Sequence, residues 1–106
     1  MNKDKWAALL ITSLKGEDAE VRFNAECVIA ELGPAAHDLL PALTEALENG
    51  GPRVRITVSK VLRYIGGIDE AAISALIKAT EDGDPEARGE AAFTLHILDA
   101  KTHYQF

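Results

Sequence analysis

Apolar positions recur along this chain at three-to-four spacing, in blocks of about a dozen residues separated by short polar breaks. The blocks come in pairs. In the first member of each pair the apolar residues are Leu9, Leu10 and Leu14, then Leu39, Leu40, Leu43 and Leu47, then Ile73, Leu76 and Ile77. In the second member, Val21, Ala25, Val28, Ile29 and Leu32 set the pattern. Such spacing puts one apolar stripe along a helix. The breaks KGED, ENGGP and EDGDP carry glycines that stop one helix, and Asp18 and Asp84 stand where the next helix needs a side-chain oxygen for its free N–H groups. Pro52 and Pro85 follow as first-turn residues, where a missing N–H costs nothing. The pattern predicts six helices, near residues 3–15, 19–32, 36–48, 52–65, 69–81 and 85–99.

The pairs are copies of one another. An offset of 33 residues aligns Leu10, Leu43 and Leu76, then Val21, Val54 and Ala87, then Arg22, Arg55 and Arg88, then Val28, Val61 and Thr94, and finally Leu32, Ile65 and Leu98. This divides the chain into three units of about 6–38, 39–71 and 72–104 within one domain. A lone helical hairpin cannot bury its apolar stripe, so units of this kind must stack, and about three are needed for stability.

Composition narrows the function classes. With 47% hydrophobic and 26% charged residues the chain is ordinary globular material, and it has no apolar run of the roughly 18 residues that a membrane span needs. The apolar stretch near the start recurs as a helix in each later unit, so it is read as structure and not as a secretory leader, and a cytoplasmic location is the default expectation. Cys27 is the single cysteine, which leaves no disulfide framework and no thiolate metal cluster. The net charge of −6 argues against nucleic acid as a partner. One local exception stands out: between Gly50 and Ile68 lie Arg53, Arg55, Lys60 and Arg63 with no acidic residue.

A period of 33 to 34 is shared by ankyrin and tetratricopeptide repeats, but neither the T-P-L-H-x-A turn of the one nor the Trp-Leu-Gly-Tyr pattern of the other is present. Instead, KGEDAEVRFNAECVIAELG and EDGDPEARGEAAFTLHIL resemble the D-x-x-V-R-x-x-A-x-x-x-L-G signature of HEAT-like repeats, and LGPAAHDLLPALTEAL resembles their inter-repeat turn and proline-bearing first helix. The resemblance covers residues 6 to 99, and the short unit resembles the variety found in phycobiliprotein lyase-type proteins. It implies an all-α, right-handed solenoid of three hairpins, with the second helices lining the concave face. It also implies that Arg22, Arg55 and Arg88 form a structural ladder by joining carboxylates near the hairpin turns. Two departures are visible: Gly51 replaces the capping Asp in the middle unit, and Asp99 replaces the closing glycine in the third.

Catalytic chemistry finds little support. The resemblance raises deoxyhypusine hydroxylase, which holds two irons on His-Glu pairs directly after the recurrent arginine, but here those places read Phe23-Asn24, Ile56-Thr57 and Gly89-Glu90. Lyases and DNA glycosylases of HEAT-like build use more repeats than this chain has. His37, His96 and His103 do not cluster, so no metal or cofactor is expected, and Cys27 has no His at i+3 or i+4 to activate it. The carboxylates Asp69-Glu70 and Glu81-Asp82-Asp84 fall at helix starts and turns, where acids cap and solvate.

Binding is the stronger reading. At 100° per residue, the positions opposite the stripe on the second helices are Phe23, Cys27 and Ala30, then Ile56, Lys60 and Arg63, then Gly89, Phe93 and His96. Phe23, Ile56 and Phe93 around Lys60 and Arg63 suit an amphipathic or acidic segment of another protein. The competing reading hides these apolar side chains between adjacent second helices. The ends offer a second surface, since Trp6 and Ile11 near the start and Tyr104 and Phe106 near the end are apolar where solenoids need polar caps. The expectation is therefore a non-catalytic protein-binding module, with an accessory subunit of a lyase or modification enzyme and a structural homo-oligomer as alternatives.

Overall fold

Asp18 shows how locally the elements are written. Its Oδ1 accepts from the backbone N–H of Glu20 at 2.9 Å and of Val21 at 3.2 Å, which opens the helix Ala19–Leu32. Asp69 does the same for Ala72 and Asp84 for Ala87, each at 2.9 Å. At the corresponding place in the middle unit Gly51 offers no side chain, and Pro52 alone marks the start. The computed structural model describes the backbone of residues 3–103 and the side chains of residues 5–99. Its helices are α1 (Lys3–Lys15), α2 (Ala19–Leu32), α3 (Leu40–Asn49), α4 (Pro52–Ile65), α5 (Glu70–Ala79) and α6 (Pro85–His103), with a 3-10 segment at Gly33–Leu39 between α2 and α3. There is no strand among the described residues.

The expected scheme of six plain helices needs correction in the second unit. The helix expected over 36–48 begins as the 3-10 segment and becomes α-helical only at Leu40. Pro41 is the physical reason: it has no N–H to give the carbonyl of His37, and its ring would crowd that carbonyl in an α-helix. The N–H of Leu40 bonds the His37 carbonyl instead, an i to i+3 bond that belongs to the tighter helix. The fifth helix is shorter than expected at Glu70–Ala79, and the sixth runs past Asp99 to His103. The second difference follows from the missing stop signal, since α2 and α4 end at glycines with φ of 51° (Gly33) and 65° (Gly66), a conformation that Asp99 cannot readily supply.

The hairpins stack through α4, which packs against α2 on one side and α6 on the other, while α3 packs on α5. The core consists of Leu14, Ile29, Leu40, Leu43, Leu47, Val58, Val61, Leu62, Ile65 and Leu76, all fully buried. In the third unit the same layer is built from Ala72, Ala75, Ala79, Ala87 and Ala91, so α5 and α6 can approach closely. The stripe expected on the outer units is not uniformly buried. Leu9, Val21 and Val28 of the first unit and Ile73 and Ile77 of the third are exposed, because each lies at an end of the stack where no neighbouring unit covers it.

Three buried hydroxyls in the stack are treated differently. Thr94 Oγ1 on α6 donates to the Ser59 carbonyl at 2.7 Å, whereas Ser59 Oγ and Thr44 Oγ1 are buried with no hydrogen-bond partner. An orphaned hydroxyl carries a desolvation cost that nothing offsets. Ser59→Ala is accordingly expected to stabilise the fold by roughly 1 kcal/mol, read as a higher urea midpoint. Thr94→Val, which leaves shape and removes a bond, should lower it by about 1 kcal/mol. A loss of stability in Ser59→Ala would show that its hydroxyl is satisfied after all.

Candidate partner-binding face

The positions opposite the core stripe do fall on adjacent helices, but they do not make one uniform strip. Phe23 projects from α2 with 61% of its surface exposed, and Ile56 and Lys60 on α4 are half-buried beside it. Between α2 and α4 runs a groove of about 540 Å³, lined by Phe23, Ile56 and Lys60 together with Arg22, Glu26 and Arg53. A smaller hollow of about 240 Å³ continues along Phe23, Cys27, Ala30, Lys60 and Tyr64. Cys27 is exposed there.

The other half of the strip is tied up internally. The Arg63 guanidinium carbon lies 4.7 Å from the centroid of the Phe93 ring, and Nη2 is 3.0 Å from Glu90 Oε2. Planar stacking on an aromatic face with a carboxylate at the edge is the geometry a guanidinium prefers. Arg63 is thus partly covered and already paired, not a free charge aimed at a ligand. Phe93 keeps one face open at 52% exposure, and His96 and Gly89 are exposed on the same helix.

Glu26 is the residue that the sequence reading missed. It sits on the groove floor, half-buried, and burial pushes its carboxyl above the usual carboxylate range; Lys60 and Arg22 pull the other way, Glu90 adds to the rise, and Arg63 opposes it. The offset alignment contained a signal, since Glu26 stands at the position of Ser59, which is buried. A carboxylate at such a position must find positive neighbours, and here they are side chains of α2 and α4.

The basic run of the middle unit has the same explanation. Arg53 Nη2 donates to the Lys15 carbonyl at 3.2 Å, Arg55 grips Asp82, Arg63 takes Glu90, and Lys60 faces Glu26. These basic residues reach outward to the first and third units, which carry most of the acid. Their charge works as glue between units.

The recurrent arginines bind backbone before carboxylate. Arg22 Nη1 donates to the Gly16 carbonyl at 2.8 Å and Arg88 Nη1 to the Asp82 carbonyl at 2.8 Å, each reaching six residues back into its own hairpin turn. Arg55 reaches back to the Gly50 carbonyl in the same manner. Arg55 in addition holds both carboxylate oxygens of Asp82, Nη2 to Oδ1 at 3.1 Å, and so links the second unit to the third. The carboxylate-joining geometry that the resemblance implied is present at Arg55; Arg22 and Arg88 are aimed at turn carbonyls left free by the preceding helix.

The histidines are separate. His37 Nε2 lies 3.2 Å from the Gly67 carbonyl, a bond between two inter-unit turns, and the side chain of His103 lies outside the described residues. Among the described residues no three His, Cys, Asp or Glu side chains converge as a metal site, and no helix is long and apolar enough to cross a membrane.

At the ends, Trp6 is exposed but Ile11 is half-buried against the core. Tyr104 and Phe106 lie outside the described residues.

The family model for HEAT repeats matches residues 7–98, which take in all three stacked hairpins. The chain belongs to the HEAT repeat family. No curated protein and no solved structure gives a significant match. HEAT repeats generally mediate protein–protein interaction, which makes a protein the expected partner of this HEAT-repeat chain.

Proposed function

We propose that this HEAT-repeat chain is a non-catalytic scaffold that binds an amphipathic or acidic segment of another protein along α2 and α4. The observation that carries the reading is Phe23, a large apolar side chain with most of its surface open at the rim of a groove flanked by Arg53 and Lys60. An apolar side chain of the partner would cover Phe23 and Ile56, and a carboxylate beside it would meet Lys60 and displace its present neighbour Glu26. The groove would then lie on the concave side of a right-handed stack. Arg63 and Phe93 take a supporting part, holding α4 to α6 and presenting the open face of the ring.

The test is capture from lysate of the source organism with the natural chain and with the double variant Phe23→Ala, Lys60→Glu, both checked for the same thermal midpoint. A partner retained by the natural chain and lost by the variant supports the reading. Equal retention removes the groove from consideration.

The 33-residue unit keeps a second reading in view, since it resembles that of phycobiliprotein lyase-type repeats. The chain would then serve as an accessory subunit of a lyase or modification complex, with the same groove against the modified protein. Pigment copurifying with the chain from its source would favour it.

A further inference from the structure

The first unit carries a second apolar groove, of about 280 Å³, on the side of the stack away from the second unit; Trp6, Leu9, Leu10, Val21, Ala25 and Val28 line it. Trp6 is 37% exposed, Val21 43% and Val28 36%. The repeat register says what such a face is for. Moving 33 residues on, the exposed Trp6 and Val28 become Leu39 and Val61, both buried in the stack, and Val21 becomes the half-buried Val54. Moving 33 further, the three become Ala72, Thr94 and Ala87, all buried, while Leu10 and Ala25 are buried in the first unit as they are in the others. In the second and third units these positions form the surface that receives the preceding hairpin.

The opposite end shows the complementary deficit. Ile73 and Ile77 on α5 are exposed, yet their counterparts in the second unit, Leu40 and Thr44, are buried. Leu95 and Leu98 on α6 are half-buried, where Leu62 and Ile65 are buried. These positions are the surface that a hairpin presents to the next one. One copy therefore displays both halves of the contact that joins its own units.

We infer that a second copy of this chain docks head to tail, with Ile73 and Ile77 of one copy seated in the groove formed by Trp6, Leu9, Val21 and Val28 of the other. The inference is independent of the groove between α2 and α4. The polar fittings agree in part. Position 94 donates a hydrogen bond to the Ser59 carbonyl within the chain, and its counterpart across the junction is the apolar Val28, which demands no partner. The arginine–carboxylate link Arg55–Asp82 has no copy at the junction, because the counterpart of Asp82 in the first unit is Gly16. The contact is thus apolar without the ionic link that joins the second unit to the third, which makes it weaker than that joint. A head-to-tail contact uses two different surfaces and does not close on itself unless the rotation permits, so it builds open-ended assemblies.

The test is sedimentation equilibrium on the natural chain, on Val28→Glu and on Ile77→Glu. The natural chain is expected to show a mass that rises with concentration from 11.4 kDa past that of a dimer, and to rise further in high salt, since every copy carries a charge of −6. Each variant alone should remain a monomer, having lost one of the two surfaces. Mixed in equal amounts, the variants should form a dimer that grows no further, because each supplies the surface the other lacks. A natural chain that stays monomeric at millimolar concentration overturns the inference. So does an Ile77→Glu variant that still dimerises, which would indicate two first-unit faces joined symmetrically. Both substitutions fall on exposed side chains; if circular dichroism shows that Val28→Glu has unfolded, Leu9→Glu in the same groove takes its place.

Discussion

Leu43→Ala is expected to lower the free energy of unfolding by about 3 kcal/mol. Leu43 is fully buried at the middle of α3, a helix that packs on α1, α4 and α5. Truncation removes the transfer free energy of the side chain and leaves a cavity bounded on several sides by other helices, with little room to collapse. Stabilities of single domains are of order 5–15 kcal/mol, so the loss is a large fraction of the whole. Urea titration should show a lower midpoint at unchanged slope. An exposed leucine supplies a control of identical chemistry, for Leu9→Ala removes the same atoms from a side chain that is already 54% exposed and should cost under about 1 kcal/mol. Equal losses at the two positions would mean that the stacking register is wrong.

The register itself was legible without coordinates. Periodic leucines, Asp caps and glycine stops act within a few residues of one another, and they place α1, α2 and α4 at the expected bounds. Pro41 was visible too, but its effect depends on the carbonyl four residues earlier, so a helix pattern that counts only apolar positions runs straight through it. The stripe positions Val21 and Val28 look the same in sequence as Val54 and Val61. Their burial differs because of which unit lies next door, a property of the stack and not of the helix. The candidate face was legible in position but not in charge. The partners of Arg55 and Arg63 lie 27 residues away, in the next unit, and a sequence read at an offset of 33 has no reason to pair them. Glu26 was lost for a related reason, since its neighbours Lys60 and Arg63 come from α4. The same pairing moves the candidate site: a strip centred on Lys60 and Arg63 becomes a proposed groove centred on Phe23 and Lys60, with Arg63 serving the joint between the second and third units.

That joint is where charge should matter most to stability. Asp82→Asn is expected to cost about 2 kcal/mol at neutral pH, because it weakens a two-pronged, charge-assisted grip by Arg55 at a place where the Asp82 side chain is only 6% exposed. The pH dependence separates this from a mere packing defect. The hydrogen bond from Arg55, and after it the backbone N–H of Asp84, hold the Asp82 carboxyl below its ordinary range. A carboxyl whose pKa falls on folding binds protons more readily in the unfolded chain. Its contribution is therefore present in full above the ordinary value of about 3.9 and is lost as pH falls through the depressed folded value. The natural chain and Asp82→Asn should thus differ in unfolding free energy at pH 7 and converge in strong acid. Glu26 cannot mimic this convergence, because it is present in both proteins and cancels in their difference; its carboxyl is raised, so its own contribution fades as pH rises. A gap between the two proteins that stayed constant from pH 7 to the acid limb would assign the loss to altered packing at the turn and remove the ionic link from the account of how the units are joined.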